Sequence, residues 1–403
     1  MNAPLAALFC ALLSAASFAQ TDLLNVREFG AVGDGEADDT QAFLNAVAAG
    51  RDAGRHVYVP RGKYRISATI ALENIGLTGP TVGAWPADIN ALPAIIPTHT
   101  DGPAFHLGAG GSLQGVDITC STPDDWETGP AAVLISGIGA YVRNCRIRYP
   151  WDGIITDGKS NVGRLNIENV FIVSPRNVGV RVTGTWDVPA LRNVEVWNAG
   201  PVKRGLEKGI AFHFGKNDLI RVTDCFAFAM RYGFLLEDEI EDCEIEGGTW
   251  GCLTGCSTDF CPQGIVIRGE HTVSITGGTY WEHQESLVVD GKSRVRVTGA
   301  ELKSNGAPAV VVRDADHVVI TGCSILRKME DFDAPAVSFE GGRLVLGDNH
   351  IEADGIGLRV GPDVVGGVIR GNLIDAHGNA AVQCDPKAES KVLVEGNLDQ
   401  PST

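Results

Sequence analysis

Three glutamates, Glu244, Glu246 and Glu282, have the residue type and spacing best suited to acid–base chemistry in this chain. Glu244 and Glu246 alternate within DCEIE, so on an extended strand both side chains leave the same face. Glu282 follows the phrase GTYW that starts at Gly278, and it falls beside Glu246 if successive phrases stack in register. Carboxyls about 5 Å apart suit retaining cleavage of a glycosidic bond, and pairs about 6.5 to 9.5 Å apart admit the water of an inverting reaction. Crowding raises the pKa of one partner, which a general acid requires. Trp197, Trp250, Tyr280, His283 and Lys303 are the accompanying substrate-binding candidates, because rings stack on sugars and the polar groups reach their edges. The plainer alternative is a solvated face on an acidic protein.

The elements that must position these residues come from a recurring phrase: Gly, Asn or Asp, then a small residue or Cys, a variable residue, and an aliphatic one. It occurs as GVDI at Gly115, NCRI at Asn144, NVFI at Asn169, NVEV at Asn193, DCFA at Asp224 and DCEI at Asp242. It continues as GTYW at Gly278, GAEL at Gly299, GCSI at Gly322, DNHI at Asp348, GNLI at Gly371 and GNLD at Gly396. Starts mostly fall roughly 20 to 30 residues apart, the length of one solenoid coil. The expected fold is an all-β, single-stranded parallel β-helix, with regular coils over about residues 113–398. Second and fourth positions point inward by strand alternation, which places Cys145, Cys225, Cys243, Cys323, Asn349, Asn372 and Asn397 in one internal column. Residues 249–263 then form a Cys-containing loop, with a local disulfide expected among Cys252, Cys256 and Cys261; zinc is the weaker alternative, and no metal site is predicted. YPWDGIITDG, with Asp152 and Asp157, reads mainly as a turn, while Arg146, Arg148, Arg181 and Arg192 could meet a glycan carboxylate or sulfate.

Upstream, residues 25–66 read as a cap and first coil. Asp38 stands where a helix N-cap belongs, with Gln41 completing a capping box, and Ala42, Phe43, Ala46 and Val47 recur at helical spacing. The motifs FGAVGDG, DDT and VYVPxGxY occur in order between Phe29 and Tyr64. This segment resembles the N-terminal signature of the pectate-lyase-like superfamily, which includes rhamnogalacturonases, polygalacturonases, uronan epimerases and phage tailspikes. The resemblance implies a right-handed parallel β-helix plugged by a short N-terminal α-helix. It implies no single reaction. The polygalacturonase GHG and RIK segments are absent, and the epimerase YGFDPH is reduced to Tyr232, Gly233 and Phe234 followed by Leu235 and Leu236. Glu244-x-Glu246 looks like the alternating acids of iota-carrageenases.

A net charge of −17, from 50 acidic and 33 basic residues, argues against nucleic acid or an anionic membrane surface as partner. Residues 1–19 read as a signal peptide, which leaves residues 20–403 as one β-helical domain without a membrane span, secreted or periplasmic, and monomeric or homotrimeric. Removal of Cys10 leaves nine of the ten cysteines, so at least one stays unpaired. The reading favoured on sequence is an exported glycoside hydrolase acting on a polysaccharide, with no cofactor required. The alternatives are a lyase of uronic-acid glycans, with Lys303, an Arg or His283 as base and Ca2+ or Arg as carboxylate neutraliser, and a non-catalytic glycan-binding solenoid.

Overall fold

The computed structural model describes residues 23–399, except residues 81, 86, 87, 89, 124, 201, 202, 329–332, 378 and 379. The expected signal peptide, residues 1–19, and Cys10 lie outside the described residues. The chain winds as an all-β parallel solenoid of about 14 turns. Each full coil gives one strand to each of three parallel sheets. Sheet 1 holds Tyr141–Arg143, Thr249–Thr254 and Arg294–Thr298; sheet 2 holds Arg146–Arg148, Phe226–Phe228, Ser257–Cys261, Thr279–Glu282 and Glu301–Ser304. Sheet 3 holds Asp152–Thr156, Val178–Val182, Ile210–Phe214, Tyr232–Glu237 and Gln263–Arg268.

The corner between sheets 1 and 2 is a single left-handed residue. Gly115, Asn144, Asn169, Asn193, Asp224, Gly255, Gly277, Gly299, Gly322, Asp348, Gly371 and Gly396 all take φ between 49° and 68° there. Gly, Asn and Asp tolerate this region best, which explains the first position of the repeated phrase. Inside the last coils, Asn349 Nδ2 donates to Asn372 Oδ1 and Asn372 Nδ2 donates to Asn397 Oδ1, each at 2.9 Å. Each amide also reaches a main-chain carbonyl of the preceding coil, so the ladder satisfies buried backbone while fixing register.

The structure corrects the sequence register in the middle coils. Asp242 has the expected left-handed φ of 65°, but DCEI belongs to a loop over residues 238–248 between Tyr232–Glu237 and Thr249–Thr254. The rung is GCST at Gly255, so Cys256, not Cys243, joins Cys145, Cys225 and Cys323 in the interior. Residues 249–263 are accordingly regular strands, not an inserted loop. All nine described cysteines are free thiols. Cys256 and Cys261 face the core while Cys252 lies between Arg221 and Ser274 on sheet 1, so these three neither form the expected local disulfide nor converge on a metal.

In the next coil the phrase starts at Gly277, one residue before the expected Gly278, and the slip exchanges inside for outside. Tyr280 and Glu282 are therefore buried, while Trp281 faces out at 44% exposure. Glu282 accepts a hydrogen bond from Thr258 Oγ1, and its Oε2 is buried without a partner among the described residues. Burial pushes its carboxyl up to about 8.

The cap helix spans Thr40–Ala53 and ends at Gly54, which is left-handed at φ 64°. It buries Ala42, Phe43, Ala46, Val47 and Gly50, with Phe43 edge-on to Tyr64 at 5.5 Å. Its N-cap is Asp39, not Asp38, and no capping box forms: Gln41 donates to Asn45 instead. Asp38 accepts from Thr40 N and Ser67 Oγ, and hydrogen bonds from Ser67 and Thr40 hold its carboxyl down at about 2. Asp39 accepts from Val32 N and Gly33 N, tying the glycine turn to the helix.

The buried Glu282 yields a stability prediction. Its folded pKa lies above its unfolded value, so its contribution is fully present below the unfolded pKa of about 4.5 and is lost as pH rises through about 8. Glu282→Gln should flatten the fall of the thermal midpoint between about pH 5 and 8 and leave the variant more stable than the parent above that range. Calorimetry across that range checks this.

Candidate active site

A cavity of about 740 Å³ lies on the outer face of sheet 3. Its floor is Ala131, Leu134 and Ile155, and its walls are residues 100–103 and 125–130, including Trp126. That size suits a small-molecule or glycan segment. The 125–130 wall is fixed from outside: Glu127 pairs with Arg204 at 3.0 Å, and Arg204 lies 4.7 Å over the Trp151 ring. Arg204 itself sits on the short helix Lys203–Glu207. Arg176 Nη2 donates to the Thr122 carbonyl at 3.3 Å and ties down the approach to the same loop.

Strand register carries the cavity floor into a cluster of ionisable groups. Leu134 pairs with Ile155, Ile155 with Arg181, Arg181 with His213, and His213 with Leu235. Successive members of this outward column are about 4.8 Å apart. Arg181 makes no hydrogen bond or ion pair among the described residues, and its Nε is buried without a partner. The buried Nε carries a desolvation cost, and the terminal nitrogens, which are not buried, are open to a ligand.

Asp152, in register with Ala131, lies on the preceding coil. Its Oδ1 accepts from Asn177 Nδ2 at 2.9 Å and from Val178 N at 3.0 Å. Burial pushes its carboxyl up to about 6, against the attraction of Arg181 and those two hydrogen bonds. Beyond Arg181, His213 Nε2 meets Glu237 Oε2 at 3.0 Å. A carboxylate accepting at Nε2 places the proton there and leaves the Nδ1 lone pair free to act as a base.

Glu237 also takes Arg268 Nη1 at 2.8 Å, and Arg268 Nη2 donates to Tyr232 Oη at 3.3 Å. Burial alone would push the Glu237 carboxyl up, but the hydrogen bonds from His213 and Arg268 win and hold it below the usual range. His213, Glu237, Arg268 and Tyr232 thus form one connected network that begins two strands beyond Ile155 of the cavity floor. Tyr232 is the tyrosine of the truncated epimerase-like segment. The structure sets His213 from the preceding coil against Leu235, within three residues of it.

The three acids expected from sequence to be catalytic, Glu244, Glu246 and Glu282, do not converge here or elsewhere. Glu244 is exposed and paired with Lys159 at 2.9 Å, on a loop latched to the Gly158 carbonyl by the main-chain NH groups of Glu244 and Ile245. Glu246 is exposed on the same loop, whereas Glu282 lies inside sheet 2, so the three acids form no pair. Tyr280 is buried, and Trp250 is exposed on sheet 1. Trp197, His283 and Lys303 do share a face, the outside of sheet 2, separate from the cavity.

Of the site on sheet 3, Asp152 and Arg181 were candidates on sequence, while His213 and Glu237 were not. The available signal was a second repeat: GVRV, AFHF and GFLL align Arg181, His213 and Leu235 as cleanly as the sheet 2 phrase aligns its own column.

Residues 23–97 match the family model described as rhamnogalacturonase A/epimerase, pectate lyase-like, and residues 263–398 match the one described as right handed beta helix region. Alginate lyase 7 of Azotobacter vinelandii is 41% identical over 68 residues, which is 15% of this chain and 8% of that protein. Mannuronan C5-epimerase AlgE3 of the same organism is 52% identical over 44 residues, 11% of this chain and 2% of that protein. The chain thus spans under a tenth of the length of either curated relative. Among solved structures, the A-module of mannuronan C-5 epimerase AlgE6 from Azotobacter vinelandii superposes with a TM-score of 0.51 at 17% identity, covering 94% of this chain and 100% of that one. At that identity the likeness establishes the shared right-handed β-helix fold.

The network carries its own prediction. Glu237→Gln removes the charge from two hydrogen bonds and should lower unfolding stability by about 1–3 kcal/mol. Urea denaturation measures this, and an unchanged midpoint would mean the network contributes nothing to the fold.

Proposed function

We propose that this protein acts on a uronic-acid-containing polysaccharide by abstracting the proton next to the uronate carboxylate, with β-elimination as the outcome. The observation that carries this reading is Arg181, a partly buried guanidinium that makes no hydrogen bond or ion pair among the described residues, standing in register between the cavity floor and His213. A carboxylate bound to Arg181 has its negative charge neutralised, which acidifies the adjacent C–H. His213, oriented by Glu237, takes that proton at Nδ1. The electron pair forms the C4–C5 double bond, the C4–O bond breaks, and the leaving oxygen takes a proton. Tyr232 is the donor, since its hydroxyl accepts from Arg268 and keeps its own hydrogen to give.

The names of the alginate lyase and mannuronan epimerase relatives support a uronate substrate. Hydrolysis by Glu244, Glu246 and Glu282 lacks support, because the three occupy an ion-paired surface, an exposed loop and the interior. Export to a secreted or periplasmic location fits a polymeric substrate and remains part of this proposal. The acidic surface is offset locally, since Arg181, Arg204, Arg231 and Arg268 gather on this side of the solenoid.

Incubation with alginate, read by ultraviolet absorbance of unsaturated uronate, tests the reaction. Arg181→Ala and His213→Ala should each lower the rate by at least about a hundredfold while remaining folded at the assay temperature. Glu246→Gln and Glu282→Gln should retain activity. New reducing ends without unsaturated product would identify a hydrolase instead.

A pH dependence follows from Asp152. Above about pH 6 its carboxylate competes with substrate for Arg181, and below that it is neutral. KM for alginate should therefore fall as pH drops from about 7 to about 5, and Asp152→Asn should abolish that trend.

A further inference from the structure

On the outside of sheet 2 lies a second cavity of about 400 Å³, lined by Trp85, Phe171 and Trp197 with the polar groups of Glu195, Asn169 and Asn193. Trp85 meets Phe171 at 4.7 Å between ring centroids, and Phe171 meets Trp197 at 5.9 Å. Glu195 makes no hydrogen bond or ion pair among the described residues, and burial beside these rings pushes its carboxyl up. Asn193 Nδ2 donates to Asn169 Oδ1 at 3.1 Å, so the corner amides form a fixed polar edge. Two tryptophans, a partly desolvated carboxyl and oriented amides are the groups that hold a sugar: rings for its C–H face, acceptors and donors for its hydroxyls.

The rings continue beyond the pocket. Trp197 contacts Phe228 at 6.3 Å, Phe228 stacks on Phe260 at 5.9 Å, and Phe260 meets His283 at 4.3 Å. On the neighbouring coils Trp281 faces outward with the Lys303 ammonium 4.7 Å over its ring. Register places Trp197, Phe228, Asp259, Trp281 and Lys303 in one outward column, so the stripe runs along the solenoid axis, one side chain per coil.

We infer that this stripe is a glycan-binding track, separate from the cleft on sheet 3, that takes a single polysaccharide chain by stacking its pyranose rings. Its shape selects that occupant. Each sheet 2 strand here offers only two outward columns, so the apolar strip is about one side chain wide, far below the roughly 800 Å² per partner of a stable protein interface. A chain of sugars is as narrow as the strip and repeats along it. Glu195 and Asp259 favour uncharged hydroxyls along the track, and Lys303 gives its far end a cation. The inference stands apart from the proposed lyase chemistry, because it requires binding and no turnover.

Intrinsic tryptophan fluorescence of the full chain tests it, with titrations of a neutral mannan hexasaccharide and of a mannuronate hexasaccharide. Saturable quenching by either is expected, and Trp197→Ala combined with Trp281→Ala should weaken that binding by about tenfold or more at an unchanged thermal midpoint. His213→Ala should leave it intact. Gel retardation in the same polysaccharides gives a readout that does not depend on the removed fluorophores. Absence of binding to both sugars, equal retardation of the double variant, or self-association of the parent that the double variant loses would each overturn the track.

Discussion

The rest of the structure depends on the register with which one coil sits on the next. A strand side chain has two choices, in or out, and a one-residue shift reverses every choice on that strand. The left-handed corner residue and the inward ladders decide the matter coil by coil. At Asn349, Asn372 and Asn397 the amides bond to one another and to main-chain carbonyls of the preceding coil, so a slipped coil would bury unpaired polar groups. Outward columns are the by-product of that constraint, and both proposed functional features are outward columns.

On sheet 3 the constraint turns an apolar floor into a site. Leu134 and Ile155 build the cavity, Arg181 and His213 continue the same line, and Leu235 resumes the apolar run with Val266, Val288 and Val311. Two ionisable residues interrupt a hydrophobic column that begins at the floor of this cavity. A fold that needed only packing there would keep an aliphatic residue at both positions. The flanking network from Glu237 through Arg268 to Tyr232 then fixes the imidazole, while Asp152 tunes how much of the Arg181 charge a ligand feels.

The fold was legible because its signals are local: the cap motifs, the corner residues, the repeated phrase. The site was less so. Asp242 has the same left-handed turn chemistry as a true corner, and only the stacking of GCST on Asp224-Cys225 excludes it. The tandem glycines at Gly277 and Gly278 let the phrase start at either, and choosing the second sent Glu282 outward on paper when it lies in the core. Both errors arise where two registers satisfy the local rules equally and the neighbouring coil arbitrates. Trp197 and Lys303 kept their place because they follow Asn193 and Gly299, corners that admit no alternative. Reading the sheet 3 repeat as well as the sheet 2 repeat would have aligned Arg181 with His213.

The central claim is that Arg181, which makes no hydrogen bond or ion pair among the described residues, binds a substrate carboxylate beside His213. A crystal structure of the His213→Ala variant soaked with a mannuronate oligosaccharide tests it most directly. The account predicts a uronate carboxylate within hydrogen-bond distance of the Arg181 guanidinium, with the sugar ring over Ile155 and its C5–H directed at the space the imidazole has vacated. An oligosaccharide seated elsewhere, with Arg181 still unpaired, would contradict it.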